Sequence, residues 1–426
     1  MKILIVSQYF WPESFRINDL AADFVRRGHD VTVLTGLPNY PEGALNEDYR
    51  RDPAAFSTYM GARVVRVPHV LRGTGKISLM LNYLTYFLSA STVGAWKLRS
   101  RHFDVMFVYA VSPITAAIPA IVLGRLKKAK VFLWVLDLWP ETLSAVGIVK
   151  SDRLLRTIGV MVSAIYKRCD YILIQSRAFL ESVSRHSPDS RGKIVYFPSW
   201  AEDVFSQSSD VTQDVLVRDD SVFTVMFAGN MGEAQDFPAI LDAVELLKHD
   251  TKIRWIVVGD GRLRAWVAEQ IAARDLGAAI SLAGRFPVEA MPSFFACADA
   301  LLVTLKTNEI FSQTIPGKVQ AYLAAGRPII GMIDGEARRV LEQSGGGMVC
   351  ASGDSTGLGD IVLRMSGMPA PELTAMGAQA RVFYKQFFDR DTQFAKLESY
   401  FYSATKGQTL AGDSLDADGV AGEVTK

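Results

Sequence analysis

Short, almost uninterrupted runs of β-branched and aliphatic residues recur along this chain, most of them followed by a stretch of helical periodicity. They are ILIVSQ (3–8), VTVLTG (31–36), RVVRVP (63–68), VMFVYA (105–110), VFLWVLD (131–137) and YILIQS (171–176). Strands that are apolar at successive positions are covered on both faces, as in a parallel sheet between two layers of helices. The first unit shows the wiring. A strand, a loop, a helix over about 18–27, the turn Gly28-His29-Asp30 and a second strand make a right-handed crossover.

A polar stretch, EDVFSQSSDVTQDVLVRDDS (202–221), interrupts the alternation, which restarts with VFTVMFAG (222–229), IRWIVVGDG (253–261), ISLAG (280–284) and ALLVTL (300–305). The stretch 307–347 completes this second set. Pro316 and Gly317 open the helical run VQAYLAA, Gly326 stops it, RPIIGMI reads as a buried strand, and Asp334 is placed to cap a further helix. A length of 426 residues suits more than one core. The expected architecture is α/β, with two doubly wound parallel-sheet domains facing each other across a cleft. The expected bounds are 1–200 and 222–388, a linker at 201–221, a helix at 389–404 returning to the first domain, and a disordered tail at 405–426.

Composition narrows the function. The net charge is +1 and no long run of like charge occurs, so nothing points to nucleic acid, and any anion site must be local. Cys169, Cys297 and Cys350 stand apart in apolar sequence and read as reduced residues of the cytoplasm. The five histidines are scattered without metal-type spacing. MKILIVSQYF reads as a first strand, not a secretory leader. Residues 77–96 carry no charge, with Lys76 before them and Lys97, Arg99 and Arg101 after. Asn82 and the Ser and Thr residues weaken a spanning segment, so a buried or membrane-surface helix is expected.

In doubly wound sheets, ligands sit beyond the carboxyl ends of the strands. In the first domain this gathers 9–16, 36–41, 109–112, 137–141 and 176–177, with Glu13, Arg16, Asn39, Tyr109 and Ser112 as candidate acceptor-side residues. Asp137 is the candidate catalytic carboxylate there, because it ends a buried strand at the crevice; an N-cap role is the competing reading. In the second domain the turns holding Asn230, Gly232 and Gln235, then Asp260, then Arg285, and the turn Ser312–Lys318 could hold a nucleotide diphosphate. A helix N-terminus with Lys318 beside it suits a diphosphate, and Ser312, Gln313, Pro316, Gly317 and Gln320 surround that point.

RGHDVTVLTGLPNYP (27–41), DLWPE (137–141), FAGNMGEAQ (227–235), VVGDG (257–261) and TIPGKVQAYLAAGRPI (314–329) resemble, in order and spacing, the retaining glycosyltransferases of family 4. Within that family the chain looks like the bacterial O-antigen, colanic acid and capsule transferases, especially the fucosamine-transferase-like group. The resemblance implies the GT-B fold, a nucleotide-sugar donor that is most often UDP-linked, retention of anomeric configuration, and no metal or other cofactor. Lys318 would then stabilise the leaving diphosphate. The chain departs from the family at five positions. Its paired glutamates fall on Gln313 and Ala321, its diphosphate-binding Arg and Lys on Asn230 and Gln235, and its usual His before the aspartate on Leu136.

The expected function is therefore transfer of a hexose-type sugar, N-acetylated or deoxy, to a polyprenyl-linked saccharide. The enzyme would sit in the cytoplasm, peripherally on the inner face of the membrane, in cell-surface polysaccharide assembly. A sugar-nucleotide 2-epimerase and a non-catalytic nucleotide-sugar-binding subunit are the alternatives.

Overall fold

The computed structural model describes all residues except 74, 146, 148, 207–217, 409 and 411–426. The chain divides into two compact units, Met1–Pro198 with Phe394–Lys426, and Ser199–Gln393.

Among the described residues the first unit holds one sheet of eight strands: β1 (Lys2–Val6), β2 (Asp30–Thr35), β3 (Thr58–Tyr59), β4 (Ala62–Arg66), β5 (Val105–Ala110), β6 (Lys130–Val135), β7 (Tyr171–Ile174) and β8 (Ile194–Tyr196). Their order is β3-β4-β2-β1-β5-β6-β7-β8, all parallel except the β3–β4 pair. The chain reverses its direction of winding between β1 and β5, which opens a switch point at their carboxyl ends. The strands are apolar throughout because both faces are covered; Ile3, Leu4, Ile5 and Val6 are all fully buried.

The second unit carries β9 (Phe223–Ala228), β10 (Ile253–Val258), β11 (Ile280–Gly284), β12 (Ala300–Thr304), β13 (Ile329–Met332) and β14 (Gly347–Cys350), wholly parallel in the order β11-β10-β9-β12-β13-β14. Its switch point lies between β9 and β12. Each unit is thus a Rossmann-like domain, and the fold is GT-B.

The helix Arg390–Thr405 crosses from the second unit to the first. Glu398 takes His29 at 2.8 Å and Arg27 at 3.2 Å, and Phe401 packs edge-on against Phe24 and Phe132. The expected tail at 405–426 lies mostly outside the described residues, but its first residues still belong to this helical end, since the Lys406 N–H donates to the Tyr402 carbonyl. The expected linker also begins inside a core. Ala201 is fully buried and Phe205 stacks on Phe295 at 5.5 Å, while 207–217 of the expected linker lie outside the described residues.

The uncharged stretch at 77–96 is a helix, Lys76–Ser89, that runs through a π-turn, Ala90–Gly94, into the short helix Ala95–Lys97. Asn82, Tyr86 and Ala90 are fully buried, whereas Ile77, Met80, Leu81, Leu84 and Leu88 are exposed on the opposite side. The buried Asn82 is satisfied: Gln8 Nε2 donates to its Oδ1 at 2.6 Å and its Nδ2 donates to the Val70 carbonyl at 2.7 Å. Among the described residues no helix is long and apolar enough to cross a membrane.

Candidate functional site

In the second unit the turns after β9, β10 and β11 are tied edge to edge by their own backbone. The Gly229 N–H donates to the Val258 carbonyl (2.8 Å), Met231 to Asp260 (2.8 Å), and Gly259 to Gly284 (2.7 Å). This approach demands glycine. A Cβ on Gly259 would lie 1.9 Å from the Gly229 carbonyl oxygen, at a φ of 144° that L side chains rarely adopt.

Lys318 projects from the first turn of the Gly317–Ala325 helix into this cluster of turns. Its Nζ donates to Gln235 Oε1 at 2.6 Å and lies 3.5 Å from the Phe227 ring centroid. A Cβ on Gly229 would come within 2.6 Å of Lys318 Cε, so glycine there leaves room for the lysine stem. Burial holds the Lys318 pKa well below the usual lysine range. The lysine has neutral partners, and an anion beside it would favour its charged form.

The remaining donor-side candidates fall into distinct roles. Asn230, Asp260 and Arg285 are exposed at the ends of their strands, and the Asp260 carboxylate accepts the Gly261 N–H at 2.7 Å. Gln313 is half-buried and makes no side-chain hydrogen bond among the described residues, so its amide is available. Ser312 spends its hydroxyl on the Glu309 carbonyl (2.8 Å). Pro316 occupies the N-cap position, with Gly317 as first helical residue, and no side chain caps this helix. Gln320 is fully buried with both amide atoms unpaired among the described residues, so it is withdrawn from the surface where a ligand would sit. Arg338, on the helix after β13, is paired with Glu342 at 2.8 Å. Asp334 sits at an N-cap but makes no capping bond; the Arg339–Glu336 pair holds that turn instead.

In the first unit the strand ends are built from side chains. Asp137 follows β6, and burial lifts its pKa to about 6, against a hydrogen bond from Ser112 that lowers it. Ser112 Oγ accepts from Trp139 Nε1 at 3.1 Å. Glu13 is buried, and its carboxylate is used up by backbone: Oε1 accepts the N–H groups of Asn39 (2.7 Å) and Tyr40 (2.6 Å), and Oε2 that of Phe10 (3.2 Å). Asn39 is likewise structural, with Nδ2 donating to the Leu37 carbonyl and Oδ1 accepting from the Arg72 N–H. These two residues shape the loops rather than offer themselves to a ligand. Arg16 begins the Arg16–Arg26 helix, and the buried Tyr109 ring packs between Phe15 and Trp134. Glu141, four residues after Asp137, is held by His186 and Ser182 at 2.9 Å each.

Two residues had no mark in the sequence. Arg72 reaches Tyr9 Oη at 3.1 Å and lies over the Tyr40 ring at 5.3 Å, close to Tyr83, with no carboxylate in ion-pair range among the described residues. Phe227, beneath Lys318, is indistinguishable in sequence from any buried strand residue.

Comparison with known proteins fits this layout. Residues 222–367 match the family model described as glycosyl transferases group 1, and residues 14–200 match that of the glycosyl transferase 4-like domain. The chain belongs to these glycosyltransferases. As a member it is a transferase enzyme, and the two matches fall one on each unit. The probable glycosyltransferase WbjE of Pseudomonas aeruginosa is 26% identical over 71% of this chain and 74% of its own length. The putative colanic acid biosynthesis glycosyl transferase WcaI of Escherichia coli is 22% identical over 76% of this chain and 82% of its own. A crystal structure of HepE from Anabaena, in complex with UDP and glucose, aligns with a TM-score of 0.66 at 16% identity, covering 95% of this transferase and 100% of that chain. That last likeness is one of fold.

Proposed function

We propose that this transferase moves a hexose-type sugar, with retention of anomeric configuration, from a UDP-linked donor to a polyprenyl-linked saccharide in cell-surface polysaccharide assembly. The observation that carries the reading is Lys318: a lysine held on a neutral amide and a ring face, amid backbone turns at the carboxyl ends of β9, β10 and β11. A diphosphate placed there would favour its charged form, and the helix start at Gly317 would add its partial positive charge. As the sugar leaves, negative charge grows on the diphosphate, and a cation already in place stabilises it without reorganisation. Lys318 thereby supplies one of the cations missing at Asn230 and Gln235, and Gln235 positions it.

Asp137 is assigned to the acceptor. Its pKa of about 6 leaves it ionised but basic at neutral pH, suited to accept the proton of the attacking hydroxyl. HepE holds UDP and glucose, and WcaI is described by colanic acid biosynthesis, which supports the donor and the pathway class. The exposed Ile77, Met80, Leu84, Leu88 and Trp96 support work at the inner surface of the cytoplasmic membrane, where a lipid-linked acceptor would be met.

The test is a thermal-shift and mass-spectrometric screen of nucleotide sugars with membrane lipid extract present. Stabilisation by a UDP-sugar together with sugar-added lipid is expected. Isomerised donor without lipid product would make the protein an epimerase, and donor binding without turnover would make it a binding subunit.

A further inference from the structure

The far end of the second sheet carries a feature that sugar transfer leaves unused. A cavity of about 570 Å³ opens beside the amino ends of β12 and β13, between the segments that lead into those strands and the Ala370–Phe387 helix. Arg218, Arg327, Arg381 and Lys385 line it, with Asp299 as its one carboxylate. That carboxylate is already committed, accepting Arg218 Nη2 at 2.8 Å through one oxygen and the Thr224 N–H at 2.8 Å through the other.

Two of the cations are held in place by backbone, and Arg218 is also paired with Asp220 at 2.6 Å. Arg327 Nη2 donates to the Ala296 carbonyl and Arg381 Nη2 to the Ala325 carbonyl, each at 3.0 Å. Arg381 Nε is buried with no partner among the described residues, and Lys385 is exposed and makes no hydrogen bond or ion pair there. Burial, followed by the neighbouring guanidinium of Arg218, pushes the Arg327 pKa down, and Arg381 adds to this. Like charges gathered in a partly dry cavity repel one another, and an anion between them relieves that cost. Planar guanidinium groups match phosphate oxygens in pairs, and the volume is that of a small-molecule site.

We propose that this cavity is a second anion-binding site, built for the phosphate group of a small phosphorylated molecule and separate from the donor site at the opposite end of the same sheet. It is independent of Lys318 and of the sugar-transfer reading.

The experiment is a thermal-shift titration of the full chain with inorganic phosphate against sodium chloride at matched ionic strength. It is run on the unaltered protein, Lys318→Ala, Lys385→Gln and Arg381→Gln. Phosphate should raise the melting temperature of the unaltered protein and of Lys318→Ala. Its apparent affinity should fall about tenfold in Lys385→Gln and by that much or more in Arg381→Gln. If Arg381→Gln does not fold, the exposed Lys385→Gln decides. Equal effects of phosphate and chloride, an unchanged response in Lys385→Gln, or a response lost in Lys318→Ala would each overturn the proposal.

Discussion

The two clusters at strand ends are built in opposite ways. In the second unit, backbone meets backbone: three glycine-bearing turns bond to one another, and a single lysine enters the space that the absent side chains leave. In the first unit, side chains fill everything: Glu13 pins two loops, Arg72 sits among phenols, and Asp137 lies half-buried beside Ser112 and Trp139. A backbone cradle suits a ligand that recurs in one form, such as a diphosphate. A side-chain wall can be revised residue by residue, which suits a variable acceptor.

The comparison breaks most visibly at Gly259. A methyl there meets the Gly229 carbonyl and an unfavourable φ together, so Gly259→Ala should cost the second unit about 3 kcal/mol or more, read by denaturant unfolding. A tolerated alanine would mean that the turns are less closely fitted than described.

Asp137→Asn should lower the transfer rate about a hundredfold while stabilising the fold. The sign follows from the pKa. Between about pH 4 and about 6 the unfolded chain has lost this proton and the folded one has kept it, so stability falls as pH rises through that window. The asparagine variant escapes the penalty, worth up to about 3 kcal/mol at pH 7. In the unaltered enzyme the rate should climb with pH through about 6. A variant that is slow and also less stable would return Asp137 to a structural role.

Glu13→Gln keeps an acceptor oxygen for some of the three N–H groups but turns an amide N–H₂ toward the rest. A loss of about 1 to 2 kcal/mol in thermal unfolding is expected, with donor affinity untouched. Leu84→Glu, on an exposed face, should leave the melting temperature unchanged and reduce binding to phospholipid vesicles.

The same contrast explains what the sequence made legible. The strands of the core, the two-unit division and the Lys318 turn follow from apolar runs, glycines and helix starts, all of them local signals. Short strands escaped: β3 is two residues and β8 three, too few to show a period. The strand-end loops that hold Glu13 and Asn39 read as acceptor-side, yet Glu13 accepts from Asn39 and Tyr40, and Asn39 from Arg72, each in another segment of the chain. The roles of Arg72 and Phe227 depend on distant contacts in the same way. Whether a polar side chain faces a ligand or a backbone N–H is decided by long-range packing, which has no periodicity to read.

The central claim, that Lys318 receives the donor diphosphate, is tested most directly by calorimetric titration of a UDP-sugar into the unaltered protein and Lys318→Ala. The account predicts an affinity lower by about 1.5 to 3 kcal/mol in the variant. It also predicts proton uptake on binding to the unaltered protein at alkaline pH, seen as a buffer-dependent enthalpy and smaller in Lys318→Ala, because a bound anion favours the charged form of the lysine. Equal affinities and no proton uptake would contradict it.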